Sequence, residues 1–242
     1  MTDDVLLRLD GVHTHIGRYH VLHGVDLAVR AGRLTMLLGR NGAGKTTTLR
    51  TVMALWRASR GLIAFAGQPI TTRATPDIAR LGIAYVPETM GIFGQLTVRE
   101  NLLLAASPSG FDAARLNGVF ALFPVLREKF DQGAATLSGG QKQMLAISRA
   151  IIEERRLIIV DEPTKGLAPA VIGQLIEAFR ALKRTRTTIL MVEQNFHMAR
   201  ALGDDVAVMD DGRVVHSGTM AELASDETLQ ARLLGLSLAS HQ

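Results

Sequence analysis

The chain has 242 residues, 47% hydrophobic and 21% charged, the proportions of an ordinary globular protein with enough length for one large domain or two small ones. Its formal net charge of +4 at pH 7 is spread without a basic tail, which suits an anionic ligand or a site near anionic lipid and makes no case for a nucleic acid partner. The absence of cysteine excludes disulfides, thiolate-ligated zinc and a cysteine nucleophile. No uninterrupted apolar stretch approaches the roughly 18 residues of a membrane span. The start, Met1-Thr2-Asp3-Asp4, carries acids where a secretory leader carries bases, so a soluble protein is expected, reaching a membrane only through a partner.

In chain order, residues 5–9, 25–29, 34–38 and 62–65 read as short strands separated by glycine and charge. Between the third and fourth lies Gly39-Arg40-Asn41-Gly42-Ala43-Gly44-Lys45-Thr46-Thr47, which fits G-x-x-x-x-G-K-[ST]. The apolar run before it and the helix-like stretch 45–55 after it supply the strand–loop–helix context that this motif needs. Gly39, Gly42 and Gly44 let the backbone turn tightly and aim its N–H groups at phosphate oxygens. The positive end of the following helix adds to the attraction. Lys45 is placed to reach the β- and γ-phosphates of a nucleotide, and the Thr46 hydroxyl to ligate Mg²⁺.

A strand at 83–86 follows. Residues 98–136 then change character, with a helical pattern over 98–106, a break at Ser107-Pro108-Ser109-Gly110, and apolar residues at helix-like spacing through Phe130. This stretch reads as a helical subdomain inserted between segments 1–97 and 137–242 of one nucleotide-binding core, because chain on both sides must complete one sheet. Residues 157–160 form an apolar strand, 171–182 an amphipathic helix and 188–192 another strand. Residues 206–209 and 214–215 flank Asp210-Asp211-Gly212, a hairpin signal, and helical patterns at 220–224 and 229–234 close the reading. Strands alternating with helices argue for an α/β fold with a mostly parallel, covered sheet.

Two carboxylates, Asp161 and Glu162, stand at the carboxyl end of strand 157–160, where open α/β sheets bind their ligands. Successive strand residues point to opposite sides, so the two can divide the chemistry. Asp161 holds Mg²⁺, and Glu162 orients and deprotonates the attacking water. His13 and His15 alternate on a strand-like stretch with no acid or cysteine to complete a metal site, and read as sheet or surface histidines.

Leu137-Ser138-Gly139-Gly140-Gln141, followed by Gln143-Met144-Leu145-Ala146-Ile147-Ser148-Arg149-Ala150 and then by Asp161-Glu162, resembles the signature of ABC-type ATPases. The resemblance covers essentially the whole chain. It implies a P-loop NTPase (RecA-like) core with an antiparallel β subdomain and an inserted α-helical subdomain. It also implies that Ser138, Gly139, Gly140 and Gln141 close over ATP held by a second ABC ATPase subunit. Local chemistry agrees, since Ser138 and the glycine amides open a helix and so form a second anion-binding N-terminus.

Further runs resemble the ATP-binding subunits of branched-chain amino acid importers: Tyr85-Val86-Pro87-Glu88, the stretch 96–102, Asp161-Glu162-Pro163-Thr164-Lys165-Gly166-Leu167-Ala168-Pro169, and Val192-Glu193-Gln194-Asn195. That resemblance implies a peripheral location on the cytoplasmic face of the plasma membrane, beneath two permease subunits supplied by a solute-binding protein. Residues 88–96 and the helical insert are then the seat of the permease's coupling helices. Glu88 stands where the wider family has a glutamine that ligates Mg²⁺, and Gln194 where it has a histidine that serves the γ-phosphate. Ala168 replaces the aspartate of the wider family. Ile16 occupies the position of the aromatic that stacks on adenine, leaving either Tyr19 or His15 to supply a ring or the base only weakly stacked. The rival reading is a soluble ABC-type ATPase of repair, translation or cofactor assembly; most of those carry a long coiled-coil insertion or two ATPase units, and neither is present here.

Overall fold

A computed structural model describes residues 5–106 and 110–235; the N-terminal four residues and the expected helix breaker Ser107-Pro108-Ser109 lie outside the described residues. The chain begins with β1 (Val5–Ile16) and β2 (Tyr19–Arg30), which pair antiparallel, then β3 (Leu34–Gly39) and α1 (Lys45–Val52). Next come β4 (Ala58–Phe65), β5 (Gln68–Pro69), α2 (Thr75–Arg80) and β6 (Ile83–Val86). The insert holds α3 (Val98–Leu103), α4 (Ala113–Leu122) and α5 (Pro124–Glu128). After it follow α6 (Gly139–Ile151), β7 (Leu157–Asp161), α7 (Pro169–Arg184), β8 (Thr188–Val192), α8 (Phe196–Leu202), β9 (Asp205–Asp210), β10 (Arg213–Thr219), α9 (Met220–Ser225) and α10 (Glu227–Leu234).

These strands form two sheets. One is antiparallel, in the order β2-β1-β4-β5; the other has the order β10-β9-β3-β8-β7-β6 and is parallel except for the β9–β10 hairpin. Strands β3 and β6 precede the insert and β7 to β10 follow it, so one sheet is completed from both sides.

Side-chain alternation divides the interior. From the parallel sheet, Met36, Ile158, Val160, Ile189, Met191 and Val208 face one layer together with α6, α7 and α8. Their neighbours Leu37, Ile159, Leu190, Val192 and Ala207 face the other, against Leu49 and Val52 of α1 and the buried row Leu7, Leu9 and Val12 of β1. The sheet is thus apolar on both faces, which is why its strands read as unbroken hydrophobic runs. The layers are filled by fully buried aromatics such as Phe179 and Phe65, each of a size whose truncation to alanine costs about 3–5 kcal/mol.

Some elements differ from the expectation. Strands β1 and β2 run for 12 residues each because polar His13, His15 and His20 still pair through the backbone in the hairpin. Helix α3 stops at Leu103 rather than continuing to 106. The six-residue α2 and seven-residue α8 escaped the pattern because so few turns carry no readable period; their marks are Pro at the start of α2 and the Asn195 cap of α8.

Candidate nucleotide site

The loop between β3 and α1 is built by glycines with no substitute. Gly39 sits at φ +141, and a Cβ there would lie 2.2 Å from the Met209 carbonyl oxygen of β9. Gly44 caps α1 in the left-handed region at φ 99. Gly42, at φ +85, has nothing within 4 Å of an added Cβ, so the loop's outer face is open. Ala43 is buried, its carbonyl accepting from the Gly212 N–H at 3.0 Å, which locks the loop onto the β9–β10 turn. Arg40 and Asn41 are exposed at the rim, and Thr47 lies half-buried on the first turn of α1.

Lys45 curls back over the loop and donates to the carbonyls of Gly39 at 2.8 Å and Arg40 at 3.0 Å. It is only 4% exposed, and burial pulls its pKa down, against the opposing pull of Glu162 and Asp161. A buried ammonium resting on two carbonyls can exchange them for phosphate oxygens without crossing water.

Asp161 is fully buried at the end of β7. One carboxylate oxygen accepts from the Thr46 hydroxyl at 2.9 Å and the other from the Tyr85 hydroxyl at 3.2 Å. Burial raises its pKa; the two hydroxyls oppose that, while nearby Glu162 and Glu88 add to it. The next residue, Glu162, adopts φ 47, a left-handed conformation rare for a glutamate and of a kind that concentrates at functional sites. Its N–H is held by the Val192 carbonyl at 2.9 Å, and its side chain accepts from Gln194 Nε2 at 2.6 Å. The donors gathered here (the Thr46 hydroxyl, Asp161 and, nearby, Glu88) are all hard oxygens, the set that suits Mg²⁺. Among the described residues no three or more histidines or acids form a ready metal cage. An ion shared with nucleotide phosphates needs no such cage.

Three participants were not marked as site residues by the sequence. Glu193, nine-tenths buried and more, accepts from the Thr164 N–H and hydroxyl and from the N–H groups of Gln194 and Asn195, at 2.8–3.0 Å. It ties the exits of β7 and β8 together. Tyr85, on β6 beside β7, supplies one of Asp161's two hydroxyl donors. Lys165 makes an ion pair with Glu88. Each is a polar residue at or just past the end of an apolar strand, which is the one signal that could have found them.

Ser138 caps α6 with a reciprocal capping box: Gln141 N–H donates to its hydroxyl at 3.3 Å, and its own N–H donates to Gln141 Oε1 at 3.0 Å. Gly139 leaves the first turn of α6 open, while Gly140 lets α6 approach α7, since a Cβ there would meet Val171 at 2.8 Å. Ser138, Gly140 and Gln141 line a groove beside α5 and α7, distinct from the one lined by Gly39, Arg40, Glu193 and Gln194. The glycine loop and the Ser138 helix start therefore do not line one groove within this chain. Tyr19 is 63% exposed at the tip of the β1–β2 hairpin, with Arg18 over its ring at 5.3 Å. The His15 ring is already stacked flat on His20 at 4.2 Å.

Strand, glycine loop, helix and buried strand-end carboxylate together define a P-loop nucleotide-binding protein. The family model described as "ABC transporter" matches residues 22–165. The high-affinity branched-chain amino acid transport ATP-binding protein BraG of Pseudomonas aeruginosa is 38% identical over 95% of this chain and 100% of that protein. The probable branched-chain amino acid transport ATP-binding protein LivF of Archaeoglobus fulgidus is 32% identical over 96% of this chain and 99% of that one. Among solved structures, an ATP-binding cassette of an ABC transporter in its ADP conformation superposes with a TM-score of 0.81 at 25% identity, covering 96% of this chain and 99% of that one. An ATP-binding subunit of an ABC transporter gives 0.78 at 32% identity, covering 96% of both. The chain belongs to the ABC transporter ATPase family, and it is an ATP-binding, ATP-hydrolysing cassette of the kind found in branched-chain amino acid transport systems.

Proposed function

We propose that this chain powers an importer for branched-chain amino acids or a related small solute, working as one of two ATPase subunits beneath a membrane-spanning permease. The observation that carries the reading is the separation of the glycine loop from the Ser138 helix start, which leaves each nucleotide pocket half built. A second subunit, identical or similar, supplies the missing half in a head-to-tail pair. Gly39, Arg40, Asn41, Gly42, Ala43, Gly44, Lys45, Thr46 and Thr47 hold ATP; Ser138, Gly139, Gly140 and Gln141 close on the partner's γ-phosphate; and Tyr19, the exposed ring, meets adenine. Thr46, Asp161 and Glu88 would hold Mg²⁺, which would supply positive charge against the nucleotide's phosphates. Lys45 leaves the loop carbonyls for those oxygens, and Glu162 takes a proton from the attacking water while Gln194 steadies its carboxylate.

No helix among the described residues is long and apolar enough to cross a membrane. A groove of about 590 Å³ on the core, reaching the helical insert only at Ala105, suits a permease segment. Met53, Leu55, Tyr85, Met90 and Arg149 line it, and exposed Phe93 lies over the Arg149 guanidinium at 5.0 Å. The names of the relatives favour this reading over a soluble repair or assembly ATPase.

Light scattering on the purified Glu162→Gln chain tests the dimer. ATP with Mg²⁺ is expected to double the mass, and ADP is not. Efficient ATP hydrolysis by the wild-type chain as a monomer overturns the proposal.

A further inference from the structure

Three carboxylates meet at the nucleotide site, and they are held very differently. Asp161 is buried and spoken for by the Thr46 and Tyr85 hydroxyls. Glu88 and Glu162 form the outer rim, with side chains 32% and 11% exposed. Between them lies one ammonium. Lys165 Nζ pairs directly with Glu88 Oε1 and stands 3.9 Å from Glu162 Oε2. Lys45, the other ammonium near these acids, is committed to the loop carbonyls.

A lysine that is 62% exposed has no need to sit here for stability, because an exposed ion pair contributes little. Yet its backbone is fixed by the site itself. The Lys165 N–H donates to the Glu162 carbonyl at 3.2 Å, and the preceding Thr164 is anchored through N–H and hydroxyl to buried Glu193. The chain therefore presents the ammonium to the two acids from a tethered turn.

We propose that Lys165 is a positioning residue that clamps the outer carboxylates Glu88 and Glu162, and that a divalent ion must take Glu88 from it for the site to load. A doubly charged ion and an ammonium compete for the same carboxylate oxygens. Once Glu88 is surrendered, Lys165 remains beside Glu162 Oε2 while Gln194 holds Oε1, which fixes the orientation of the base. This inference rests on the nucleotide reading of the site given above.

The test uses the full-length chain with ATP and Mn²⁺ as a paramagnetic stand-in for Mg²⁺, with free Mn²⁺ measured by electron paramagnetic resonance. Lys165→Met removes both the competing partner and a positive charge close to the ion. Mn²⁺ is expected to bind about thirtyfold tighter, the effect of removing one unit charge some 4 Å from a doubly charged ion in a water-like medium, while turnover at saturating Mn²⁺ falls. Lys165→Arg keeps the charge and retains wild-type affinity. On a Glu88→Gln background, Lys165→Met is expected to tighten Mn²⁺ binding less, because the charge is still removed but there is no longer a carboxylate at 88 to free. A loss confined to the turn's structure would not tighten metal binding at all. Unchanged or weaker Mn²⁺ binding in Lys165→Met, or full tightening on the Glu88→Gln background, overturns the hand-over. Turnover equal to wild type overturns the clamp on Glu162. Failure of the wild-type chain to bind ATP with Mn²⁺ is a different result, and it overturns the nucleotide site itself.

Discussion

Two adjacent strands of the parallel sheet end alike. Strand β7 runs into Asp161-Glu162 and β8 into Glu193-Gln194, each after an unbroken apolar run. In the fold their glutamates have opposite fates. Glu193 is buried and accepts four hydrogen bonds from Thr164, Gln194 and Asn195, so its carboxylate is spent on holding two loops together. Glu162 keeps one short-range donor, Gln194, and a looser cation, Lys165, and its backbone is held in a conformation that few glutamates adopt. The carboxylate whose acceptor sites are filled is scaffold, and the one with sites to spare is available for chemistry.

That contrast breaks most sharply at Glu162. Replacing it with Gln keeps the shape and removes the proposed base, so ATP hydrolysis is expected to fall about 10²- to 10⁴-fold, the usual contribution of a positioned general base. ATP affinity and melting temperature stay near wild type. Normal turnover in this variant, measured by phosphate release, would contradict the division of labour.

Glu193→Ala is the complementary experiment. It strands the Thr164 hydroxyl and three N–H groups in a site with little water, at a cost of about 3 kcal/mol, or a melting fall of roughly 6–12 °C for a chain of this size. Binding and hydrolysis weaken only as far as the loops loosen. A variant that melts like wild type but no longer hydrolyses ATP would move Glu193 from scaffold to catalysis.

The sequence made the glycine loop, the strand-end acids and the Ser138 helix start legible, because each depends on residue types at fixed local spacing. The parallel sheet was legible too, through its doubly buried strands. Glu193, Tyr85 and Lys165 were not, since their importance comes from strand order. Only the pairing of β6 with β7, and of β7 with β8, sets Tyr85 beside Asp161 and Glu193 beside Thr164. Local spacing cannot say which strands become neighbours. The same limit applied to the hairpin, where four histidines along 13–23 gather their rings into one cluster, three of them stacked on one another, that a strand pattern does not foresee.

A third variant separates stability from function at Asp161. Burial lifts its pKa above the ordinary 3.8, so the folded chain binds a proton more readily than the unfolded one. The stability this carboxyl lends is therefore present below 3.8 and lost as pH rises through the raised value, which makes ionised Asp161 a net cost at neutral pH. Asp161→Asn, which can still accept from Thr46, is expected to stabilise the nucleotide-free chain at pH 7 by about 1 kcal/mol, or roughly 2–4 °C. Its advantage should shrink as the pH falls towards 4, while Mg²⁺-dependent tightening of ATP binding disappears. A variant less stable than wild type at neutral pH would show that the two hydroxyls fully compensate the buried charge.

The smallest effect is expected from Tyr85→Phe. The Tyr85 hydroxyl is pushed up to about 12 by burial and by the neighbouring Asp161 charge, so at any working pH it is a neutral donor to Asp161 Oδ2. Removing it leaves the ring packed and takes away one of two hydrogen bonds that hold Asp161 ionised, at a cost of about 1 kcal/mol. Asp161 then keeps its proton to higher pH, so the acid limb of the pH–hydrolysis profile should move to higher pH while the plateau rate changes little. The direction of that movement is the decisive reading. If the limb moves to lower pH instead, Tyr85 is not supporting the carboxylate, and the burial of Asp161 is balanced by Thr46 alone.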